Sequence, residues 1–129
     1  MKKFLILLSV CVLLVITFFA CNIEKTYPIK LPNPSDIKSI EIITPNLTVE
    51  KTDEKWIEDF IKQASMSNTS KKQSVSDVPN VTEYVQIDFV HKTGGTSVIY
   101  VYNEGSTTYI EQPYQGIYYA NSKLVKMIK

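Results

Sequence analysis

The 129-residue chain contains no arginine; all fourteen of its basic residues are lysines. Arginine is the side chain that grips phosphate and carboxylate bidentately and reads base edges, so its absence argues against nucleic acid as a partner. There is one histidine, His91. A metal site needs three or four clustered ligands, and a lone histidine closing an alternating strand reads as a sheet-end residue. The four glycines form no phosphate cradle. "TGGT" joins two apparent strands and lacks the following helix that such a cradle needs, so it reads as a hairpin turn. No H-E-x-x-H, G-x-S-x-G, P-loop or S-x-x-K pattern occurs. The reading therefore implies no cofactor, no metal site and no enzyme built on these motifs.

What is present begins at the N-terminus. Lys2 and Lys3 precede an apolar run of 17 residues from Phe4 to Ala20, broken only by Ser9 and Thr17. A positive start, an apolar stretch and a small residue make a secretory signal. Ala20 is followed at once by Cys21, and "FFAC" resembles a bacterial lipoprotein cleavage box, in which the cysteine is lipidated and becomes the mature N-terminus. Phe18 and Phe19 depart from the usual aliphatic and small residues of that box. An uncleaved membrane anchor is the alternative, since the run falls just short of the roughly 20 residues that span a bilayer. Both readings put the domain on the outer face of the cytoplasmic membrane. Cys11 leaves with a cleaved signal, and a lipidated Cys21 is occupied, so the mature chain has no thiol for a disulfide or for catalysis. A diacylglyceryl group supplies two chains, each buried CH₂ contributing about 0.8 kcal/mol.

About 109 residues remain after position 20, enough for one small domain. Residues 21–36 read as the lipidated cysteine and a tether, because Pro28, Pro32 and Pro34 favour an extended path. Stretched fully, residues 22–36 reach roughly 45–50 Å; Ile29 and Leu31, alternating with Lys30, offer a way for part of it to lie on the domain instead. Residues 37–129 form the domain. Ile40 and Ile42 followed by "TPNL" and Val49 predict a hairpin. "DEKWIEDFIKQAS" predicts an amphipathic helix whose Trp56, Ile57, Phe60, Ile61 and Ala64 share a face, opened by Thr52 or Asp53. "SMSNTSKKQSVSDVPN" is polar and reads as a loop. Strands follow at "TEYVQIDFVH", "TSVIYVYN", "TTYIEQ" and "IYYA", and "NSKLVKMIK" closes the chain as a short helix capped by Asn121 or Ser122. The fold class is α+β: an antiparallel sheet of hairpin, helix and meander, with one main helix.

Four of the eight tyrosines fall in "YIEQPYQGIYY", Tyr109 to Tyr119. "PYQG" suits a four-residue loop, with Gly116 in the left-handed position. Even-numbered loops at Thr93–Gly95 and a bulged three-residue loop at Gly105 then put Val85, Ile87, Phe89, Val98, Tyr100, Tyr102, Ile110, Ile117 and Tyr119 on one core face under Trp56 and Phe60. The opposite face would hold Val90, Ile99, Val101, Tyr109 and Tyr118, with Asp88 and Glu111. That face is covered by the terminal helix (Leu124, Val125, Ile128) or the tether, or it is an exposed aromatic patch. In the second case Tyr109, Tyr118 and Glu111 are the candidate partner-binding residues. Asp88, Glu83 and Glu111 are the carboxyl groups that an acid–base pair would draw on.

The segments "IKLPNPSDIKSIEI", "SVSDVP" and "YIEQPYQGIY" resemble a family of small uncharacterised lipoproteins from Gram-positive bacteria. The resemblance implies a lipid-anchored extracytoplasmic domain and no known activity. The sequence thus leads to a membrane-tethered, non-catalytic interaction module with an envelope protein as its possible partner. An envelope hydrolase or transferase using carboxylates and a small-molecule-binding lipoprotein are the alternatives.

Overall fold

The computed structural model describes residues 27–129, and before them Lys2 alone. The signal segment and Cys21 lie outside the described residues. Among the described residues seven strands form one antiparallel sheet in the order β2-β1-β4-β5-β6-β7-β3. They are β1 (Ile37–Ile43), β2 (Thr48–Lys51), β3 (Asn68–Thr69), β4 (Val85–His91), β5 (Thr96–Glu104), β6 (Thr107–Gln112) and β7 (Gly116–Tyr119). Helix α1 (Glu54–Ser65) follows β2 and helix α2 (Ser122–Met127) ends the chain. This is the α+β class expected, with a main helix and a short C-terminal one.

Local chemistry sets the element ends. The Asp53 side chain accepts the Trp56 N–H at 2.8 Å, and the Asn121 side chain accepts the Leu124 N–H at 2.8 Å, each capping a helix start. In the first hairpin the Thr44 N–H donates to Leu47 at 2.8 Å around Pro45 and Asn46, which places Val49 opposite Ile42 as predicted. Helix α1 buries Ile57, Phe60, Ile61 and Ala64 against the sheet. Phe60 stacks on Trp56 and tilts onto Phe89, with centroids 5.1 and 6.2 Å away. Fully burying an aliphatic or phenyl side chain of this size contributes about 1.5–3 kcal/mol, so this helix–sheet layer is the main source of cohesion.

The strand registers differ from the sequence reading at three loops. His91 donates to Gly95 around a three-residue loop, with Gly94 and Gly95 both at positive φ. Glu104 pairs with Thr107 around a two-residue turn, and Gln112 pairs with Gly116 around Pro113–Gln115. Each of these shifts the register by one residue from that expected of the sequence, and one residue exchanges the faces of a strand. In consequence Ile87 pairs with Ile99, and Val101 with Ile110, which in turn pairs with Tyr118. The helix-covered face holds Ile40, Ile42, Ile87, Phe89, Ile99, Val101, Ile110 and Tyr118. Val98, Tyr100, Tyr102, Ile117 and Tyr119, expected in that core, lie on the other face with Tyr109 and Glu111. The reason is visible in β5: Val98 to Tyr102 is apolar or aromatic at every position, so no alternation marks a face.

Each face has its own cover. Helix α2 buries Leu124 on the α1 side, and Asn121 Nδ2 donates to the Gln63 carbonyl at 2.8 Å. It does not cover the second face. Ile29 and Leu31 also pack on the helix-side core. The second face is crossed instead by the polar segment 70–84. Ser70 and Lys72 bond to the Ile117 backbone, Ser74 Oγ donates to Glu111 at 2.7 Å, and Tyr84 meets Tyr100 edge-on at 5.2 Å.

Candidate functional site

Three separate stretches of chain meet at the tip of the β6–β7 hairpin. Residues 27–30 are the first. Tyr118 Oη donates to the Tyr27 carbonyl at 2.9 Å, and Gln115 Nε2 donates to the Pro28 carbonyl at 2.9 Å. The Gln112 side chain both accepts the Lys30 N–H at 2.8 Å and donates to the Lys30 carbonyl. These bonds occupy backbone groups of an extended segment as a further strand would, but with side chains as partners. The loop around Asp77 is the second stretch, and the turn Pro113–Gln115 is the third.

The turn closes with the Gln115 N–H on the Gln112 carbonyl at 3.0 Å. Tyr114, its second central residue, has φ 58°. The left-handed region suits glycine or asparagine, and a bulky side chain there is strained. Tyr114 is nevertheless 65% exposed, so no burial offsets the strain. Hydrogen bonding to Asp77, and that residue's charge, push the Tyr114 hydroxyl above the usual phenol value. Val75 and Val78 flank Asp77, Val75 being 76% exposed, and Tyr27 is half exposed on the other side of the turn. The tip therefore carries a rim of four large, solvent-facing side chains drawn from three segments.

Gly116 is present for a different reason from the one the sequence suggested. It is not among the glycines at positive φ; a β-carbon on it would lie 2.9 Å from Tyr118 Oη. The missing side chain lets the Tyr118 ring lie along β7 and reach Tyr27.

The residues expected to form an open patch are not at the surface together. Tyr118 is fully buried in the helix-side core, and burial pushes its hydroxyl pKa up. Tyr109 and Glu111 are on the second face, only 9% and 5% exposed. Glu111 accepts hydrogen bonds from Ser74 and, at 3.3 Å, from Tyr102, whose pKa is raised by burial and by Glu111. Tyr109 lies between Tyr102 and Tyr119, with Lys72 Nζ 4.7 Å from its ring centroid. Cys21 lies outside the described residues.

Nor do Asp88, Glu83 and Glu111 converge. Asp88 is opposite Glu41 and Val98, and Glu111 is opposite Tyr100. Two strand spacings and two residues along the strand put their positions about 12 Å apart, beyond the roughly 5–9.5 Å of paired glycosidase carboxyls. Glu83 lines an open cleft of about 400 Å³ at the opposite end of the sheet, with Thr44, Asn46, Tyr84, Tyr102 and Asn103. Among the described residues no group of three or more His, Cys, Asp or Glu could hold a metal ion, and no helix is long and apolar enough to cross a membrane. His91 Nε2 lies 2.7 Å from Ser97 Oγ at the sheet end.

The sequence reading passed over Tyr27, Val75, Val78 and Tyr114. One signal pointed to the last: a tyrosine between Pro113 and Gly116, where a turn favours a small residue.

Comparison with known proteins agrees with this architecture. The NMR structure of a protein from Ruminococcus gnavus is similar at 29% identity and a TM-score of 0.66, covering 77% of this chain and 97% of that one. No curated protein matches. A family model, DUF5301, described as a domain of unknown function (DUF5300), matches residues 25–119. That span holds α1, all seven strands and the tip, and the chain belongs to this family.

Proposed function

We propose that this protein is a lipid-anchored, non-catalytic binding module on the outer face of the cytoplasmic membrane, with the β6–β7 tip as its contact surface. One observation carries the reading. Tyr114 is a large aromatic held in a strained backbone conformation at an exposed apex, where the backbone geometry favours glycine. Strain kept without a packing return is a mark of a working residue. The separation of Asp88 from Glu111 supports the non-catalytic part. The signal pattern and Cys21 support the anchored part.

Whole-cell fractionation of the full chain tests it. The protein is expected with the membranes, its mature N-terminus being Cys21 with the added mass of a diacylglyceryl group. Cys21→Ser is expected to lower the membrane-bound share. Recovery of the unaltered chain free of membranes would overturn the reading.

The cleft at the other end of the sheet favours a second reading, a small-molecule site. Its volume is within the roughly 300–1,000 Å³ of ligand pockets, and Glu83, Asn46 and Asn103 bring polar groups to it. Chemical-shift changes confined to those residues on screening small polar ligands would favour this reading.

A further inference from the structure

We infer that the partner of the β6–β7 tip is the bilayer surface itself, an inference that rests on the anchored reading above. The tip is where the domain meets its own tether. Tyr27 and Pro28 are fixed to the domain through Tyr118 and Gln115. Residues 22–26 alone then separate Cys21 from the bound segment. Six Cα steps at 3.3–3.6 Å reach about 20 Å at most, less than half the span of a tether free to Asp36. A small folded domain is about 30 Å across, so a globular partner does not fit between the tip and the membrane. The bilayer's interfacial layer does fit.

The side chains suit that layer. Tyr27 and Tyr114 present an apolar ring with a polar end, the combination that partitions to the membrane–water interface. Val75 and Val78 add apolar surface beside them. The orientation follows from the same bonds: the β1–β2 turn at Leu47 points the other way along the sheet and lies three to four strand spacings from β6, roughly 14–19 Å across the sheet. Leu47 is as exposed as Tyr114, at 62% against 65%, and so serves as an internal control.

The test uses the full chain purified from membranes and reconstituted in nanodiscs containing brominated lipid, which quenches tryptophan only at short range. Tyr114→Trp, Tyr27→Trp and Leu47→Trp are compared, with Trp56 of the unaltered protein as the baseline. The expected result is a blue shift and loss of the added emission at positions 114 and 27, with neither at 47. Two positions at the tip guard against one variant misfolding. Equal quenching at 47 and 114, or none at either tip position, would overturn the inference. So would protection of position 114 that appears only when other envelope proteins are present, which would assign the tip to a protein partner. Mass analysis of the same sample separates the two claims. A lipidated or membrane-embedded chain with an unquenched tip leaves the anchor standing and removes the docking.

Discussion

The Tyr118 hydroxyl passes over Gly116, 2.9 Å from where a β-carbon would stand, and ends 2.9 Å from the Tyr27 carbonyl that it bonds. One glycine thus admits the side chain that ties the N-terminal segment to the sheet. Gly116→Ala is expected to destabilise the domain by about 1–3 kcal/mol, the range for overpacking a filled site. Tyr118→Phe removes the clashing oxygen and the bond, at about 0.5–1.5 kcal/mol. The double variant is expected to lose less than the sum, because both changes act on one contact. The ring carbon that bears the hydroxyl would still sit 3.2 Å away, so relief is partial. Urea unfolding of the four proteins measures this; strict additivity would count against the coupling.

Ser74 and Glu111 make a second coupling, between the segment 70–84 and the sheet. Both are buried, and their 2.7 Å hydrogen bond is the deepest polar contact of that segment. Glu111→Ala leaves the Ser74 and Tyr102 hydroxyls without their acceptor and is expected to cost about 1–3 kcal/mol. Ser74→Ala is expected to act more locally. Amide exchange of 70–84 should quicken while β4 and β5 keep their protection, since a loop can open without the sheet. Uniform acceleration across the sheet would contradict this.

How much of this was legible in the sequence differs by element. Helix α1 and its Asp53 cap, the first hairpin and four later strands were readable because each has a local signal: period, cap or turn. The faces of β5 were not, because Val98 to Tyr102 is apolar throughout and the three loops admit registers one residue apart. Strand β3 was missed since Asn68 and Thr69 have no β pattern; their pairing with Tyr119 and Tyr118 is a tertiary choice. The cover of the second face was invisible for a related reason. Segment 70–84 holds on through hydroxyls and backbone rather than apolar bulk, which a hydrophobic pattern does not register. The tip was half legible: that a turn falls at Pro113 was, while its length, the left-handed residue in it and the company of Tyr27 and Val75 were not.

Burial makes the fold sensitive to alkali. Tyr100, Tyr102 and Tyr118 all have pKa values above the ordinary 10.0, with loss of hydration the leading cause in each. In the unfolded chain these phenols ionise near 10, while in the native state they keep their protons. The unfolded state therefore binds fewer protons above that pH, and stability falls as pH rises through and beyond 10. Below about pH 9 these groups leave stability unchanged. Denaturation midpoints measured from pH 8 to 11 should be flat and then drop, and Tyr118→Phe should shallow the drop.

Glu41 and Asp88 face each other directly across β1 and β4, both half-buried, with Gln86 Nε2 bonding Asp88 at 2.9 Å. Like charges directly opposed on a sheet oppose pairing, and opposite charges favour it by roughly 0.2–1 kcal/mol. Glu41→Lys is expected to raise stability by an amount in that range, less in high salt. A loss of stability in the thermal midpoint would show that Gln86 and solvent already relieve the pair.

Tyr114 separates the needs of the fold from those of the surface. Glycine at φ 58° carries none of the left-handed penalty that tyrosine does, and this relief exceeds the added chain entropy of glycine in the unfolded state. The exposed ring has little packing to lose, and its bond to Asp77 joins two solvent-exposed groups and adds little. Tyr114→Gly is therefore expected to raise the unfolding midpoint slightly while weakening the tip's hold on the bilayer. The hold is read as increased quenching of an introduced probe by aqueous acrylamide, with Tyr27→Trp as the probe in both backgrounds. Tyr114→Asn, which tolerates the same backbone region, should follow glycine in both measurements. A fall in stability with membrane contact unchanged would make Tyr114 a structural residue, and the strained turn would then lose its functional meaning.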